Sequence, residues 1–317
     1  MSMSTTTVSG SMLFIILLAA TGAPSLLAAE YAPPAQRSRA EVNAILAKAP
    51  PPEAEAAKPL HVILVASKKD HGPNEHDYPL WQKRWKVLLG GKGPDDEPKV
   101  NCFRPEPEGG ADAACAGSPG VTVDTATDWP TKEQLAKADL VVVFSKAQWT
   151  PERLADAKGL LARGGGLVIV HVAVWQKSKP LADLVGMAAG DSTKYRHGEV
   201  DLAVTDTNHP ITRGFPETVR LLDETYYHFQ GDPGRLTVLA TCQERIEKDK
   251  PETRPEPMFW CREEGKGRVF TCVPGHFMWT FDDPLLRLLL LRGMAWSAGG
   301  SPYRLDALAT RGAVLGE

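Results

Sequence analysis

Residues 139–171 read DLVVVFSKAQWTPERLADAKGLLARGGGLVIVH and place two apolar runs on either side of a helical segment. The runs 140–144 and 167–170 are uninterrupted and mostly β-branched, which is typical of strands that are covered on both faces. Between them, Pro151 begins a helix at its first position, and three consecutive glycines end that helix after Arg163. A strand, a helix and a strand in succession predict a parallel sheet.

The same alternation continues on both sides of this stretch. Further elements are predicted as strands at 61–66 and 121–123 and as helices at 78–89, from 131 onward and at 284–297. Between residues 199 and 272 the sequence predicts several strands and few helices, with a hairpin turn at 264–267. We therefore expect one α/β domain over residues 60–300, in which a doubly wound, mostly parallel sheet carries an added β-rich section.

The N-terminus predicts export. The apolar run 12–20 is shorter than the roughly 20 residues that span a bilayer, and small residues follow it up to Ala29. We interpret residues 1–29 as a signal peptide of a periplasmic or secreted protein with no stable membrane span after cleavage; an uncleaved anchor is the alternative. Residues 30–59 are rich in Pro and Ala and are expected to form a tether with one short helix, and residues 301–317 a C-terminal tail.

Charge and cysteine usage exclude several classes of function. The 36 basic and 39 acidic side chains give a net charge of -3, which argues against nucleic acid as a partner. The five cysteines contain no C-x-x-C pair, so a zinc ribbon or thioredoxin-type site is excluded. In an oxidising compartment, Cys102 and Cys115 could close a short loop.

Ligands of open α/β sheets bind beyond the carboxyl ends of the strands, so the residues that follow strands are the candidates. The loop 70–77 (DHGPNEHD) offers two imidazoles and three carboxylates that could bind a divalent metal or supply acid and base groups. A solvated loop that caps the next helix is the alternative. His171 ends a central strand at the corner where α/β hydrolases and class I amidotransferases carry a nucleophile, and neither Ser nor Cys is present there.

Two later segments supply further candidates. In the run 223–228, strand alternation allows Glu224, Tyr226 and His228 to share one face. These side chains either belong to a functional site or form the aromatic core face of an ordinary strand. His276 follows the last predicted strand and precedes the final helix.

An ordered set of motifs resembles the trehalose-utilisation (ThuA-like) family. The motifs are HGPNEH at 71–76, GGLVIVH at 165–171, NHPITRGFP at 208–216, DETY at 223–226, GKGRVF at 265–270, PGH at 274–276 and FDDP at 281–284. The resemblance implies a flavodoxin-like fold of the class I glutamine amidotransferase-like type that lacks the catalytic cysteine. It also implies a role in sugar or glycoside catabolism, in which keto sugars are suspected substrates. The insertion at 90–120 and the segment 194–198 depart from the family pattern.

The leading hypothesis is an exported sugar-active enzyme, a hydrolase, lyase or isomerase rather than an amidotransferase. His171 or Glu224 would act as general base, and His71 and His276 would stabilise an oxyanion or hold a metal. The predicted catalytic residues are His71, His171, Glu224 and His276, and the predicted substrate-binding residues are Glu75, His76, Trp149, Trp175, Tyr195, His197 and Tyr226.

The alternative hypothesis is a non-catalytic carbohydrate-binding protein whose aromatic side chains stack on sugar rings in the same crevice. The aromatic residues in question are Trp149, Trp175, Tyr195 and Tyr226. In either case the expected partner is a small sugar or glycoside. No cofactor is firmly implied, and a divalent metal is the one that this chemistry could use.

Overall fold

A computed structural model of the chain describes residue 1 and residues 31–50, 58–106, 115–146 and 148–317. The predicted signal peptide lies outside the described residues except for Met1. Residues 33–317 form one compact unit, and of the preceding unit only residues 1, 31 and 32 are described. Among the described residues, no helix is both long enough and apolar enough to cross a membrane.

Helices and strands alternate through the first half of the described chain, and strands dominate the second half. The α-helices are α1 Arg39–Leu46, α2 Tyr78–Gly90, α3 Lys132–Lys137, α4 Pro151–Ala162, α5 Lys179–Val185 and α6 Pro284–Ser297. The strands are β1 Leu60–Ala66, β2 Val121–Thr127, β3 Leu140–Phe144, β4 Gly166–Val170, β5 Met187–Ala188, β6 Lys194–Val204, β7 Thr218–Tyr227, β8 Gln230–Gly231, β9 Thr237–Arg245, β10 Thr253–Glu264 and β11 Gly267–Cys272.

Nine of these strands form one sheet in the order β2-β1-β3-β4-β11-β10-β9-β6-β7. The first five strands of this order are parallel to one another. The other four extend the sheet with antiparallel pairs. The hairpin between β10 and β11 turns at Gly265, whose φ of 63° favours glycine. The α/β class and the large central sheet are confirmed, and the β-rich section is the antiparallel part of that same sheet.

Helices pack on both faces of the parallel strands. On one face, Trp81 of α2 contacts Phe144 of β3 with ring centroids 5.3 Å apart, and α6 passes so close to Phe270 that Gly293 has no room for a side chain. On the other face, α4 lies against Gly267. All five residues of β3 and of β4 are buried, which explains why their sequence shows no polar alternation.

The segments that flank the α/β domain pack against it. In α1, Val42 and Ile45 are buried, and the backbone of Arg37 and Arg39 hydrogen bonds to Gly316 near the C-terminus. The expected short helix of the tether is therefore present and in contact with the domain. Cys102 is buried and has a free thiol, so it is not linked to Cys115.

Candidate functional site

The candidate site lies where the parallel strands end. Three segments follow strands there: the loop 67–77 after β1, the turn that begins at His171 after β4, and residues 273–278 after β11. The carboxyl ends of parallel strands share one edge of a sheet, so the residues after them come together. β7 contributes Glu224 from the antiparallel part of the sheet.

His171 follows β4 directly and is fully buried. Its φ of 50° turns the chain from the strand into a short 3-10 helix, and this conformation is rare for a residue other than glycine. Its ring Nδ1 donates a hydrogen bond to the carbonyl oxygen of Val273 at 2.7 Å. The ring also stacks on Tyr226, with centroids 4.7 Å apart. These contacts leave Nε2 pointing toward the other site residues.

Two loops hold His76 and His276 against each other. The backbone N–H of His76 donates to the carbonyl oxygen of His276 at 3.0 Å, and that of Met278 donates to Asn74 at 2.8 Å. His276 Nδ1 lies 3.0 Å from His76 Nε2, which in turn lies 2.8 Å from His171 Nε2. Three buried imidazoles therefore meet at one point.

Glu224 completes this cluster. Its Oε2 lies 3.1 Å from His171 Nε2 and 3.2 Å from His276 Nδ1, and its Oε1 lies 3.3 Å from His197 Nε2. Burial alone would raise the pKa of the Glu224 carboxyl, but the contacts with these imidazoles outweigh burial and hold that pKa far below its usual range. Glu224 is therefore ionised at neutral pH.

The neighbours of Glu224 differ in protonation. Burial, together with the imidazoles of His171 and His276, lowers the pKa of His76 to about 2, so this ring is neutral at neutral pH. The hydrogen bond to Glu224 raises the pKa of His197. Burial and the charge of Glu224 raise the pKa of the Tyr226 phenol well above its usual value. The site thus combines an anion, a neutral imidazole and a protonated phenol.

Asp70 anchors the loop that carries His76. Its Oδ1 accepts hydrogen bonds from His76 Nδ1 at 3.2 Å, His71 Nδ1 at 2.8 Å and the Tyr78 hydroxyl at 3.0 Å. Its Oδ2 lies 3.0 Å from Lys146 Nζ. Burial would raise the pKa of Asp70, but these partners lower it well below its usual range. From the sequence, Asp70 was only one of three carboxylates in the loop 70–77, with no role of its own.

Asp223 fixes β7 to the segment after β11. This residue is fully buried, and its Oδ1 accepts hydrogen bonds from the backbone N–H groups of Glu224, Gly275 and His276 at 2.7, 2.9 and 2.9 Å. Glu224 and His276 are therefore held by the same carboxylate. The motif DETY contained this residue, but neither periodicity nor spacing could show which backbone it binds.

Some of the predicted site residues lie at the edge of the cluster or away from it. His71 is exposed and packs edge-on against His76, with ring centroids 3.9 Å apart. Glu75 is partly exposed, and its Oε1 lies 3.8 Å from His276 Nε2. The Trp149 indole is buried, donates to the carbonyl oxygen of Ala173 and contacts the Trp129 ring.

The predicted aromatic residues Trp175, Tyr195 and Tyr226 do lie together. Trp175 packs on Tyr226 with ring centroids 4.5 Å apart and contacts Tyr195 at 5.9 Å. Tyr195 is 57% exposed, and its ring lies 5.8 Å from that of His197. We call these three aromatic residues the aromatic wall. It leads from buried His171 to the protein surface.

Comparison with known proteins identifies the family. The sequence profile of the ThuA family, described as trehalose utilisation, matches residues 104–297. The chain belongs to the ThuA family. A ThuA-like protein of Bacteroides uniformis is 16% identical with a TM-score of 0.55, covering 80% of this chain and 99% of its own. A ThuA-like protein of Parabacteroides merdae is 19% identical with a TM-score of 0.52, covering 77% and 92%. No curated protein sequence matches.

The ThuA match confirms the resemblance that the motifs predicted, and it includes His171, Glu224 and His276. His76 and Asp70 precede the matched residues. One of the four clustered side chains, His76, and its partner Asp70 therefore lie in a loop outside the family profile.

Two sets of side chains among the described residues could hold a cation. The first is His76, His171, Glu224 and His276, all buried, with ligand atoms within 4.8 Å of one another. The second, Asp70, His71 and His76, is mostly exposed. Neither set contains a cysteine, so the chemistry that the site can perform is acid–base or metal-assisted.

Proposed function

We propose that this ThuA-family protein is a sugar-active enzyme, a hydrolase, lyase or isomerase, whose chemistry is carried by His171, Glu224, His276 and His76. The observation that supports this function is the convergence of one carboxylate and three imidazoles at the carboxyl ends of the parallel strands. Buried polar groups cost about 1–3 kcal/mol each when they are left unsatisfied. A cluster of this kind is therefore typical of a functional site rather than of a core.

The protonation states suit removal of a proton from a sugar. Ionised Glu224, or His171 through Nε2, is the general base in this proposal. The proton comes from a hydroxyl group or from a carbon beside a carbonyl group, as in a keto sugar. Tyr226 and His276 donate hydrogen bonds to the oxygen that becomes negative. A cysteine nucleophile has no part in the reaction, because the corner after β4 carries His171.

The aromatic wall supports a sugar as the substrate. Exposed Tyr195 and the adjacent Trp175 present flat apolar faces next to the polar cluster, and sugar rings carry apolar C–H faces that pack against aromatic rings. The family description, trehalose utilisation, points in the same direction.

The test is detection of products by mass spectrometry after incubation of the full chain with disaccharides and with their keto derivatives. We expect product from the wild type and none from His171→Ala or Glu224→Gln. The matched control is His61→Ala, because His61 lies in β1 and pairs with Asp124 of β2, outside the cluster. Equal product from Glu224→Gln and wild type, or no product from any of these sugars, would contradict the proposal.

A non-catalytic carbohydrate-binding protein is the second candidate, and the exposure of Tyr195 favours it. Calorimetric titration of sugars into a variant that lacks His76, His171, Glu224 and His276 separates the two. Full sugar affinity in that variant, without turnover in the wild type, would establish a binding protein. Loss of turnover with retained affinity would establish the enzyme.

Two further proposals concern the fold and the location. The parallel order β2-β1-β3-β4-β11, with helices on both faces, supports a flavodoxin-like arrangement. The apolar run 12–20 supports export through cleavage after Ala29. N-terminal sequencing of the protein from its native compartment should begin at Glu30, and a sequence that begins at the initiator methionine would contradict export by cleavage.

A further inference from the structure

We propose that His76, His171, His276 and Glu224 form a site for one divalent transition-metal ion. This inference deepens the function proposed above because it concerns the same side chains. The four ligand atoms are His76 Nε2, His171 Nε2, His276 Nδ1 and Glu224 Oε2, and all lie within 4.8 Å of one another. Around this ring the neighbouring atoms are 2.8, 3.0, 3.2 and 3.1 Å apart.

The positions of the ring hydrogens support a cation between His76 and His171. His171 Nδ1 faces the carbonyl oxygen of Val273, which can only accept, so Nδ1 bears the hydrogen. His76 Nδ1 faces a carboxylate oxygen of Asp70, which also accepts. With its hydrogen on Nδ1, each ring can offer the lone pair of Nε2 to a cation. These two lone pairs face each other at 2.8 Å, an arrangement that repels unless a cation or a proton lies between them.

One proton cannot satisfy all the contacts of the cluster. His171 Nε2 has neighbours in His76 Nε2 at 2.8 Å, the Tyr226 hydroxyl at 2.9 Å and Glu224 Oε2 at 3.1 Å. A hydrogen on Nε2 points either to His76 Nε2 or to Glu224 Oε2 and leaves the other acceptor without it, and it also prevents Nε2 from accepting from the Tyr226 hydroxyl. A single cation at the centre interacts favourably with every lone pair and with the carboxylate charge at once.

The ligand types select the class of ion. Mg²⁺ and Ca²⁺ prefer oxygen ligands, whereas three imidazoles and one carboxylate suit zinc and its neighbours in the first transition series. Zinc binds imidazole nitrogen at about 2.0–2.1 Å, which places ligand atoms of a tetrahedral site roughly 3.3–3.4 Å apart. The four separations between neighbouring ligand atoms, 2.8–3.2 Å, are slightly shorter than this distance, and the other two pairs lie within 4.8 Å.

The surrounding hydrogen bonds match those that orient metal ligands. Ligating histidines usually donate their second ring nitrogen to a carboxylate or a backbone carbonyl. His76 has Asp70 in this position, and His171 has Val273. The set formed by Asp70, His71 and His76 is the weaker alternative, because Lys146 and Tyr78 already occupy the Asp70 carboxylate.

The test is metal binding by the full chain, read without any turnover. Elemental analysis of the purified protein and calorimetric titration of Zn²⁺ into chelator-treated protein should both give about one ion per chain. We expect His171→Ala and Glu224→Gln to weaken Zn²⁺ binding by about 100-fold or more. His61→Ala is the control and should bind Zn²⁺ as the wild type does.

A second measurement protects the test against variants that fail to fold. Replacement of Zn²⁺ by Co²⁺ in the wild type should give the intense visible absorption of a four-coordinate site, and it needs no mutation. Substoichiometric binding by the wild type, or equal affinity in Glu224→Gln, would overturn the metal site. Sugar turnover by wild-type protein that binds no Zn²⁺ would overturn the metal site and leave the proposed function standing. Tight Zn²⁺ binding without turnover of any sugar would overturn the proposed function and leave the metal site standing.

Discussion

Asp70 determines how His76 presents its ring. A carboxylate that accepts from Nδ1 fixes both the ring orientation and the position of its hydrogen, and so keeps Nε2 available as a ligand. The same carboxylate is held in place by Tyr78 and Lys146. Asp70 is therefore a positioning residue that acts on the cluster through His76.

The substitution Asp70→Asn should weaken Zn²⁺ binding by about 10–100-fold, the usual effect of removing a charged partner of a ligating histidine. The amide oxygen can still accept the hydrogen bond, but it lacks the charge that increases the basicity of the ring. Calorimetric titration measures the effect. Asp191→Asn is the control, because the Asp191 side chain is fully exposed and pairs with Lys177, outside the cluster. An affinity within twofold of the wild type in Asp70→Asn would show that Asp70 does not position His76.

At the level of single residues, the sequence predicted where the site lies better than it predicted which side chains form it. Position after a strand pointed to His171, to His276 and to the loop 70–77, and the structure places all of these at one edge of the sheet. It brings His76 rather than His71 into the cluster, because φ is 41° at His76 and 63° at Asn74, and such turns are not encoded in residue spacing. His228 was expected to share a face with Glu224, but β7 ends at Tyr227.

At the level of elements, α6 shows what periodicity can predict and what it cannot. Its bounds, Pro284–Ser297, agree with the prediction because Asp283 caps the helix before Pro284 and leucines fill it. The pairing order β10-β9-β6-β7 was not predicted. Alternation identifies strands, whereas partner choice depends on contacts between residues far apart in the sequence. Three strands separate β7 from the parallel strand β11 in that order. Glu224 reaches the site because Asp223 of β7 accepts hydrogen bonds from Gly275 and His276, and this long-range contact was not predicted either.

Two helical glycines give a matched pair of predictions about packing. A Cβ added at Gly293 of α6 would lie 2.5 Å from the Phe270 ring, whereas one added at Gly159 of α4 would meet nothing within 4 Å. Gly293→Ala should therefore lower the free energy of unfolding by about 1–3 kcal/mol through overpacking. Gly159→Ala should raise it by about 0.5–1 kcal/mol, since alanine favours the helix. Urea unfolding of both variants measures the difference, and a stabilised Gly293→Ala would show that α6 moves freely on β11.

At the scale of the whole molecule, the segment before the α/β domain contacts both the C-terminal segment and the start of α6. The Arg37 guanidinium lies 2.9 Å from Asp283, which caps α6, and Gly316 forms backbone hydrogen bonds with Arg37 and Arg39. The sequence predicted a tether with one short helix and a tail, but it did not predict that these segments pack on the domain, because tertiary contacts of short segments leave only weak signals in a sequence. The contacts suggest that the flanking segments unfold together with the domain.

Ile45 tests that cooperativity. This residue of α1 is 2% exposed, and α1 packs so closely on the turn at Gly214 that a Cβ there would lie 2.8 Å from the Ile45 carbonyl oxygen. If α1 belongs to the cooperative unit, Ile45→Ala should lower the free energy of unfolding by about 2–5 kcal/mol, as for other buried isoleucines. Asn43→Ala, at an exposed position of the same helix, should change it by no more than about 0.5 kcal/mol. Urea unfolding followed by tryptophan fluorescence measures both, because the tryptophans lie in the domain rather than in α1. An unchanged midpoint in Ile45→Ala would mean that α1 separates from the domain before the domain unfolds, as a tether would.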